Sequence, residues 1–378
     1  MREIYMSFTK VSSRVLNELA RGLPADRTRR NEPLALHTYI KLGGPADFFT
    51  VVKSADELAG TVIDAEEAGV PWFILGGGSN ILVGDLGFRG LVIKNEADKI
   101  ATGRTEWYIP RNDGLVTVTA ESGALLSQLA SFAIDHGLAG LEPFMSVPGT
   151  VGGAIFNNSH FRPSQNEFIG NLVEEAEILF PRATLDDVSS MRSARNPRSL
   201  RRRLPVGEKT KVLSGSSSMI SETPSSVRPV PFRVSRDWFR FSYDYSRLQE
   251  EKAVVLRVKF KLEKGDPEEL RSKSLELLKQ RNSYQPIGSL SCGCMWRNPK
   301  EAPAGKLIDE TGLKGIRVGG MSVSQTHANF MVNDGTGKVG DVLELMARVK
   351  KRVKKYCGVE LEPEIFMVGE FSHENMKT

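Results

Sequence analysis

The segment Ser291-Cys292-Gly293-Cys294-Met295-Trp296-Arg297-Asn298-Pro299 sets two thiols one residue apart beside an arginine and an asparagine. A thiol near cations has a tunable pKa, so Cys294 is a candidate proton donor or nucleophile, while Cys292 reads as a buried, inert thiol. A metal centre would need two more ligands nearby. Cys357 and His327 stand at no recognisable zinc spacing, so no metal is expected. A disulfide across one residue is strained. Glu364, between Pro363 and Ile365 in a strand-like stretch, is a second candidate. Partial burial there would suit its carboxyl to acid catalysis; an ordinary surface glutamate is the alternative.

Two glycine-rich segments offer backbone chemistry instead. Gly76-Gly77-Gly78-Ser79-Asn80 follows the apolar run Trp72–Leu75. Consecutive glycines let backbone N–H groups converge on an anion, because no Cβ blocks the approach. The segment has neither the Gly-x-Gly-x-x-Gly of a dinucleotide fold nor the Gly-Lys-Ser/Thr of a P-loop. A tight turn between strands is the competing reading. Roughly 70 residues on, Val147-Pro148-Gly149-Thr150-Val151-Gly152-Gly153-Ala154 is a second such loop. Together the two could grip one extended diphosphate ligand.

The elements that must carry these loops alternate between strand and helix. Strands are expected at Phe48–Val52, Trp72–Leu75, Leu91–Lys94 and Val116–Ala120, with helices at Ala55–Ala68 and Gly123–His136. A short amphipathic helix is expected over 12–21, with Val15, Leu16 and Leu19 on one side, and a linker from Pro24 to Pro33. Val254–Leu262 alternates strongly and reads as a strand with one buried face. Pro267–Asn282 and Asp341–Tyr356 read as helices. This is a layered α/β or α+β plan. Residues 181–240 break it, with 12 serines and no period of either kind, the composition of a long solvated loop.

The chain has 378 residues and a net charge of +5. That length carries two or three cores. Residues 181–240 hold 13 Lys or Arg against 5 Asp or Glu, and the remainder holds 38 against 41. The basic balance therefore belongs to one irregular insert. Without zinc-finger spacing or an aromatic-interleaved basic strand, no nucleic-acid partner is expected. No apolar run is long enough to span a bilayer, no signal peptide is apparent, and three cysteines suit a reducing compartment, so a cytoplasmic protein is expected.

Taken in order, the motifs resemble the UDP-N-acetylenolpyruvoylglucosamine reductase family, flavoproteins that reduce an enolpyruvyl ether in peptidoglycan precursor synthesis. The matching residues are Leu36-His37-Thr38 with Gly43-Gly44-Pro45-Ala46, then Leu75–Val83 with Gly87-Phe88-Arg89-Gly90, then Gly140-Leu141-Glu142 with Val147–Ala154. The C-terminal pattern follows through Arg281, Gln285-Pro286, Gly293–Pro299, Ala304–Asp309, Gly319-Gly320, Ser324, His327–Phe330 and Glu362-Pro363-Glu364. The resemblance implies an α+β fold: a two-lobed FAD-binding region of the vanillyl-alcohol-oxidase (PCMH) type plus a C-terminal α+β substrate-binding lobe. The expected divisions are an N-terminal extension over 1–33, the FAD-binding region over 34–262 with its insert at about 181–238, and the substrate lobe over 263–372. The other expectations are FAD as cofactor, NADPH as co-substrate, UDP-N-acetylglucosamine enolpyruvate as substrate, and a monomer. A different FAD oxidoreductase of the same superfamily, or a catalytically impaired relative, is the rival reading.

The resemblance also distributes roles. Gly76, Gly77, Gly78, Ser79 and Asn80, with Pro148, Gly149, Thr150, Gly152 and Gly153, are expected to hold the cofactor. Gln285, Asn298 and Lys306 are expected to meet the substrate. Cys294 stands where the family usually has a serine proton donor, and Glu364 stands at the catalytic glutamate. The family's third residue is an arginine, but the matching position here is Asp244; Arg240, in a shorter version of the motif, is the candidate substitute. A further departure is Asn158-Ser159-His160-Phe161-Arg162-Pro163, where relatives commonly carry Asn-Ala-Gly-Ala-Tyr-Gly.

Overall fold

The structure, a computed structural model, describes residues 3–4, 11–102, 114–181 and 229–372. The first lobe is a four-stranded sheet in the order Thr28–Pro33, Pro45–Val52, Phe88–Asn95, Trp72–Leu75. Its last three strands run parallel, joined by a crossover helix, Ala55–Glu67. Ser54 starts that helix by accepting the Glu57 N–H at 3.1 Å, and Asp56 and Glu57 complement the positive end of its dipole. Leu58, Val62 and Ile63 are buried against Phe48, Leu91 and Ile93 of the sheet. Burying such side chains contributes about 1.5–3 kcal/mol each.

The second lobe is antiparallel, with described strands in the order Phe232–Ser235, Val173–Leu179, Val254–Lys264, Val116–Glu121, Ile100–Thr102. The helices Leu126–Asp135 and Val151–Asn157 bury their apolar faces in its core. The helix Pro267–Tyr284 packs on the short turn Glu142–Ser146, where Lys273 Nζ meets the buried Glu142 carboxylate at 2.8 Å.

The third unit has its own core around the sheet Arg317–Val318, Met321–Val323, Met331–Asn333 and the helices Ala304–Glu310 and Val339–Cys357. It returns to the first lobe through Phe366–Val368, which pairs in parallel with Ile81–Val83, the strand that follows the triple glycine.

Three sequence expectations need correction. Residues 24–33 are not all linker: Thr28–Pro33 is an edge strand, hidden from the pattern because its side chains are mostly exposed. The insert ends earlier than 238. Phe232 and Val234 are buried in a four-residue strand, too short to stand out against a Ser/Arg-rich background; the basic stretch 182–228 lies outside the described residues. Val254–Lys264 buries Val254, Leu256, Val258, Phe260 and Leu262 on one face, shared between two cores, but its other face is partly covered too, with Val255 and Lys259 buried and Arg257 and Lys261 half-buried. Lys259, alternating with these, is buried beside Glu174 and Glu175 at 3.5 and 3.7 Å.

Candidate active site

A cavity of about 1280 Å³ opens where the three units meet. Both glycine loops line it. They interlock closely enough that their residue types are dictated: a Cβ on Gly77 would stand 2.9 Å from Gly149 Cα, and one on Gly76 would stand 2.5 Å from Thr150 Oγ1. Gly78 has φ +70° and would drive a side chain into the His37 carbonyl. Lys94 Nζ donates to the Gly76 carbonyl at 2.6 Å, and Thr150 caps its helix by accepting from Gly153 N–H at 3.4 Å. Ser122 ties the second loop to the sheets, accepting from Gly152 N–H at 2.7 Å and from Asn95 Nδ2 at 2.9 Å.

The amides of Gly77, Gly78 and Ser79 donate to no acceptor among the described residues. Backbone donors are obligate hydrogen-bonding groups, so three of them converging on a roomy cavity fit an anionic ligand such as a dinucleotide diphosphate. The residues present therefore fit a flavin dinucleotide.

Opposite the loops, two backbone pairings place the reactive side chains. The Cys294 segment pairs with Phe330, and Met295 N–H donates to the Asn329 carbonyl at 2.8 Å. On its other side, Trp296 pairs with Pro363, and Glu364 N–H donates to the Met295 carbonyl at 2.9 Å. Cys294 and Glu364 are thus neighbours on adjacent extended segments, and both line the cavity. Protein atoms crowd the Cys294 thiol, although part of it reaches the cavity. Burial pushes its pKa well above the ordinary value; Glu364 adds to this, Arg281 opposes it, and Asp244 adds again. Cys294 is therefore a thiol at neutral pH, able to give a proton. Cys292 is fully buried against Met295, and burial pushes its pKa up to about 12.

Arg281 and Gln285 come from the end of the helix Pro267–Tyr284, four residues apart, with Arg281 Nε donating to Gln285 Oε1 at 2.6 Å. Both line the cavity. Burial pushes the Arg281 pKa down from its ordinary value, and a guanidinium still stays charged. Arg281 also donates to Ser146 Oγ at 3.4 Å. In the sequence Arg281 stands out only as one residue of the C-terminal motif; the signal for a place in the site is its i,i+4 spacing from Gln285.

After Arg240, Phe241–Ser246 is a tight turn, with Ser242 and Tyr245 exchanging backbone hydrogen bonds at 3.1 and 3.2 Å and Asp244 at φ +49°. Arg240 is exposed, outside the cavity lining, and does not take the place left by Asp244. Asp244 itself is buried and lines the cavity. His160 Nε2 meets its Oδ1 at 3.1 Å, and Arg297 Nε lies 3.7 Å from its Oδ2. Arg297 also donates to the carbonyls of Tyr243 and Asp244 at 3.0 and 3.1 Å, which clamps this turn to the Cys294 segment. The His160 ring stacks on Tyr243 with centroids 5.2 Å apart. The diverged loop at 158–163 thus has a definite place: Asn158 braces the turn through the Ser242 carbonyl at 2.8 Å, and His160 braces Asp244.

Asn298 and Lys306 stand apart from the cavity lining. Asn298 is occupied internally, donating to Tyr243 Oη at 3.1 Å and accepting from Ala304 N–H at 2.9 Å. Lys306 is exposed.

Residues 285–368 match the family model described as UDP-N-acetylenolpyruvoylglucosamine reductase, C-terminal domain, and residues 46–189 match an FAD binding domain. A UDP-N-acetylenolpyruvoylglucosamine reductase from Caldanaerobacter subterraneus subsp. tengcongensis is 34% identical over 358 residues, covering 94% of this chain and 98% of that relative. One from Streptococcus pneumoniae is 32% identical, with 90% and 94% covered. Among solved structures, the UDP-N-acetylenolpyruvylglucosamine reductase of Thermus caldophilus superposes with a TM-score of 0.62 at 28% identity, covering 90% of this chain and 98% of that one.

Proposed function

The chain belongs to the UDP-N-acetylenolpyruvoylglucosamine reductase family, and from that premise we propose how its own residues carry out an FAD-dependent reduction of UDP-N-acetylglucosamine enolpyruvate to UDP-N-acetylmuramate, with NADPH as the electron source. When bound, the flavin supplies a hydride to the terminal vinyl carbon of the substrate. The glycine loops hold the cofactor's diphosphate through the free amides of Gly77, Gly78 and Ser79. Arg281 receives the enolpyruvyl carboxylate, because it is a half-buried cation lining the cavity and an anion there gains a charge-assisted bond in a partly desolvated setting. Glu364 hydrogen-bonds the same end of the substrate as negative charge develops on it. Cys294 then gives its Sγ proton to the carbon bearing the carboxylate: the S–H bond breaks, a C–H bond forms, and the thiolate left behind is reprotonated from solvent. The free state of Cys292, Cys294 and Cys357 supports a reducing, cytoplasmic setting.

The convergence of Cys294 and Glu364 with both glycine loops on one cavity carries this reading. The test is NADPH oxidation by the purified protein with and without UDP-N-acetylglucosamine enolpyruvate. Stimulation by that compound is expected. Cys294→Ala should lose about 10²–10⁴-fold in turnover, the usual size of a lost general acid, while NADPH still reduces the flavin. An Ala variant that turns over normally removes Cys294 from the role. Retained flavin without substrate-stimulated turnover would favour the impaired-relative reading that Asp244 invites.

A further inference from the structure

The triple-glycine loop is held by donors that come from other segments. The Gly76 carbonyl accepts from Lys94 Nζ at 2.6 Å, the Gly78 carbonyl from Tyr39 N–H at 3.0 Å, and the Asn80 carbonyl from Phe366 N–H at 3.1 Å. The last two anchors are backbone groups. The first is a side chain, so it depends on residue type. In a trans peptide the C=O and N–H of one unit point in opposite directions. Fixing the Gly76 carbonyl therefore fixes the Gly77 amide, and fixing the Gly78 carbonyl fixes the Ser79 amide, each N–H turned away from its anchor. Gly77 and Ser79 line the cavity, whereas Lys94 stands outside its lining.

Strand register delivers the ammonium to this point. Lys94 lies opposite Leu75 in the parallel pairing of Phe88–Asn95 with Trp72–Leu75, and its long stem reaches the next carbonyl along. It is half-buried, between the buried Ile93 and Asn95. The packing of the loop makes such an anchor necessary. A Cβ on Gly76 would meet Thr150 Oγ1 and one on Gly77 would meet Gly149, so both positions must be glycine. Two successive glycines have both signs of φ open to them, which leaves the peptide between them free to turn over. A turned peptide presents a carbonyl oxygen where an N–H stood, and a carbonyl oxygen repels an anion.

We propose that Lys94 is a positioning residue for the cofactor's diphosphate: its ammonium locks the Gly76–Gly77 peptide so that the Gly77 amide stays turned toward the cavity. This rests on the reading of the glycine loops as the diphosphate cradle. A charged donor makes the lock about twice as strong as a neutral one. In a partly desolvated setting it also polarises the peptide it holds, which strengthens the bond that the Gly77 N–H makes on the other side.

The FAD dissociation constant of the purified holoenzyme tests this without relying on turnover; it is read from the flavin that passes an ultrafiltration membrane on serial dilution. Lys94→Met keeps an unbranched stem and removes both the charge and the donor. It should weaken FAD binding by about 10- to 100-fold, the size of one lost hydrogen bond to a charged group. Lys94→Arg keeps a charged donor and should recover most of that loss. A role confined to filling space predicts no such rescue, because Met fills the space as well. If Lys94→Met does not fold, Lys94→Gln, neutral and one bond shorter, reads the same loss. A folded Lys94→Met protein that holds FAD as tightly as the native chain overturns the proposal, and so does a Lys94→Arg protein as weak as Lys94→Met. Gly78→Val disrupts the loop itself and keeps the two readings apart. Flavin retained in Gly78→Val overturns the cradle reading; flavin lost there but held at native affinity by Lys94→Met overturns only the role of Lys94.

Discussion

On one side of the cavity, the loops at Gly76–Gly78 and Gly149–Gly153 meet backbone to backbone; on the other, the side chains of Cys294, Glu364, Asp244 and Arg281 line it. The first wall has almost no freedom in residue type, because a single methyl group would collide with a carbonyl or a Cα. The second wall is made of side chains that distant segments hold in place: His160 and Arg297 meet Asp244, and Gln285 accepts from Arg281. The steric wall fails when one methyl group is added, whereas a wall of side chains weakens by one interaction at a time.

The sharpest way to break this contrast is on the steric side. In Gly78→Val the new side chain meets the His37 carbonyl at a backbone φ of +70°. Strain at such a position costs about 1–3 kcal/mol, and the collision adds to it by displacing the loop whose amides face the diphosphate. Purified Gly78→Val should carry no flavin colour and no measurable turnover. A variant that keeps both would mean that the loop's backbone is not what holds the cofactor.

A smaller effect is expected on the charged side. Arg281→Gln removes a half-buried cation while keeping a polar side chain next to Gln285. Loss of one hydrogen bond to a charged group is worth about 1.5–3 kcal/mol, so KM for the enolpyruvyl substrate should rise roughly 10- to 100-fold. The rate at which NADPH reduces the flavin should change far less. Equal losses in both half-reactions would assign Arg281 to the cofactor instead of the substrate.

The same division explains what could be read from the sequence. The glycine loops were legible because consecutive glycines have few other uses, and Gly77 against Gly149 confirms why they are there. The helices Ala55–Glu67 and Val339–Cys357 were legible from their apolar stripes, Leu58 and Val62 in one and Val342, Leu345 and Val349 in the other. Charge type is visible in a sequence, which is why Arg240 stands out as a candidate substitute although the spacing points to Asp244 as the matching position. The tight turn that exposes Arg240 and buries Asp244 is not, since it depends on Asn158, His160 and Arg297 arriving from distant segments. Asn298 stands apart from the cavity lining for a related reason: its amide meets Tyr243 and Ala304, a fact that only the folded chain contains.

Stability offers a third contrast, between the two thiols. Cys292 packs against Met295, and its folded-state pKa is raised from 9.0 to about 12. A raised value means that the folded chain keeps this proton at a pH where the unfolded chain has lost it. The stabilisation is fully present below about pH 9 and is lost as pH rises toward 12. One pH unit above the unfolded value corresponds to about 1.4 kcal/mol. Between pH 8 and pH 10 the native chain should therefore lose about 1.4 kcal/mol more stability in urea than Cys292→Ala, which lacks the group. Parallel losses in the two proteins would show that this thiol is solvated.

The mildest change tests how far the charged wall extends. Lys306 lies outside the cavity lining, exposed, with Glu310 3.8 Å away on the next turn of its helix. An exposed ammonium attracts an anion through water and salt, so its effect on affinity stays below about 1 kcal/mol. If the nucleotide end of the substrate leaves the cavity past the helix Ala304–Glu310, Lys306→Gln should raise KM roughly two- to fivefold at low ionic strength, within that 1 kcal/mol. The difference should fade at an ionic strength of about 1 M, where the screening length is near 3 Å. The flavin content and the rate at which NADPH reduces the flavin should stay as in the native chain, because neither wall is touched. A KM that does not move at any salt concentration would confine the substrate's recognition to the cavity and leave Lys306 as part of a solvated helix face.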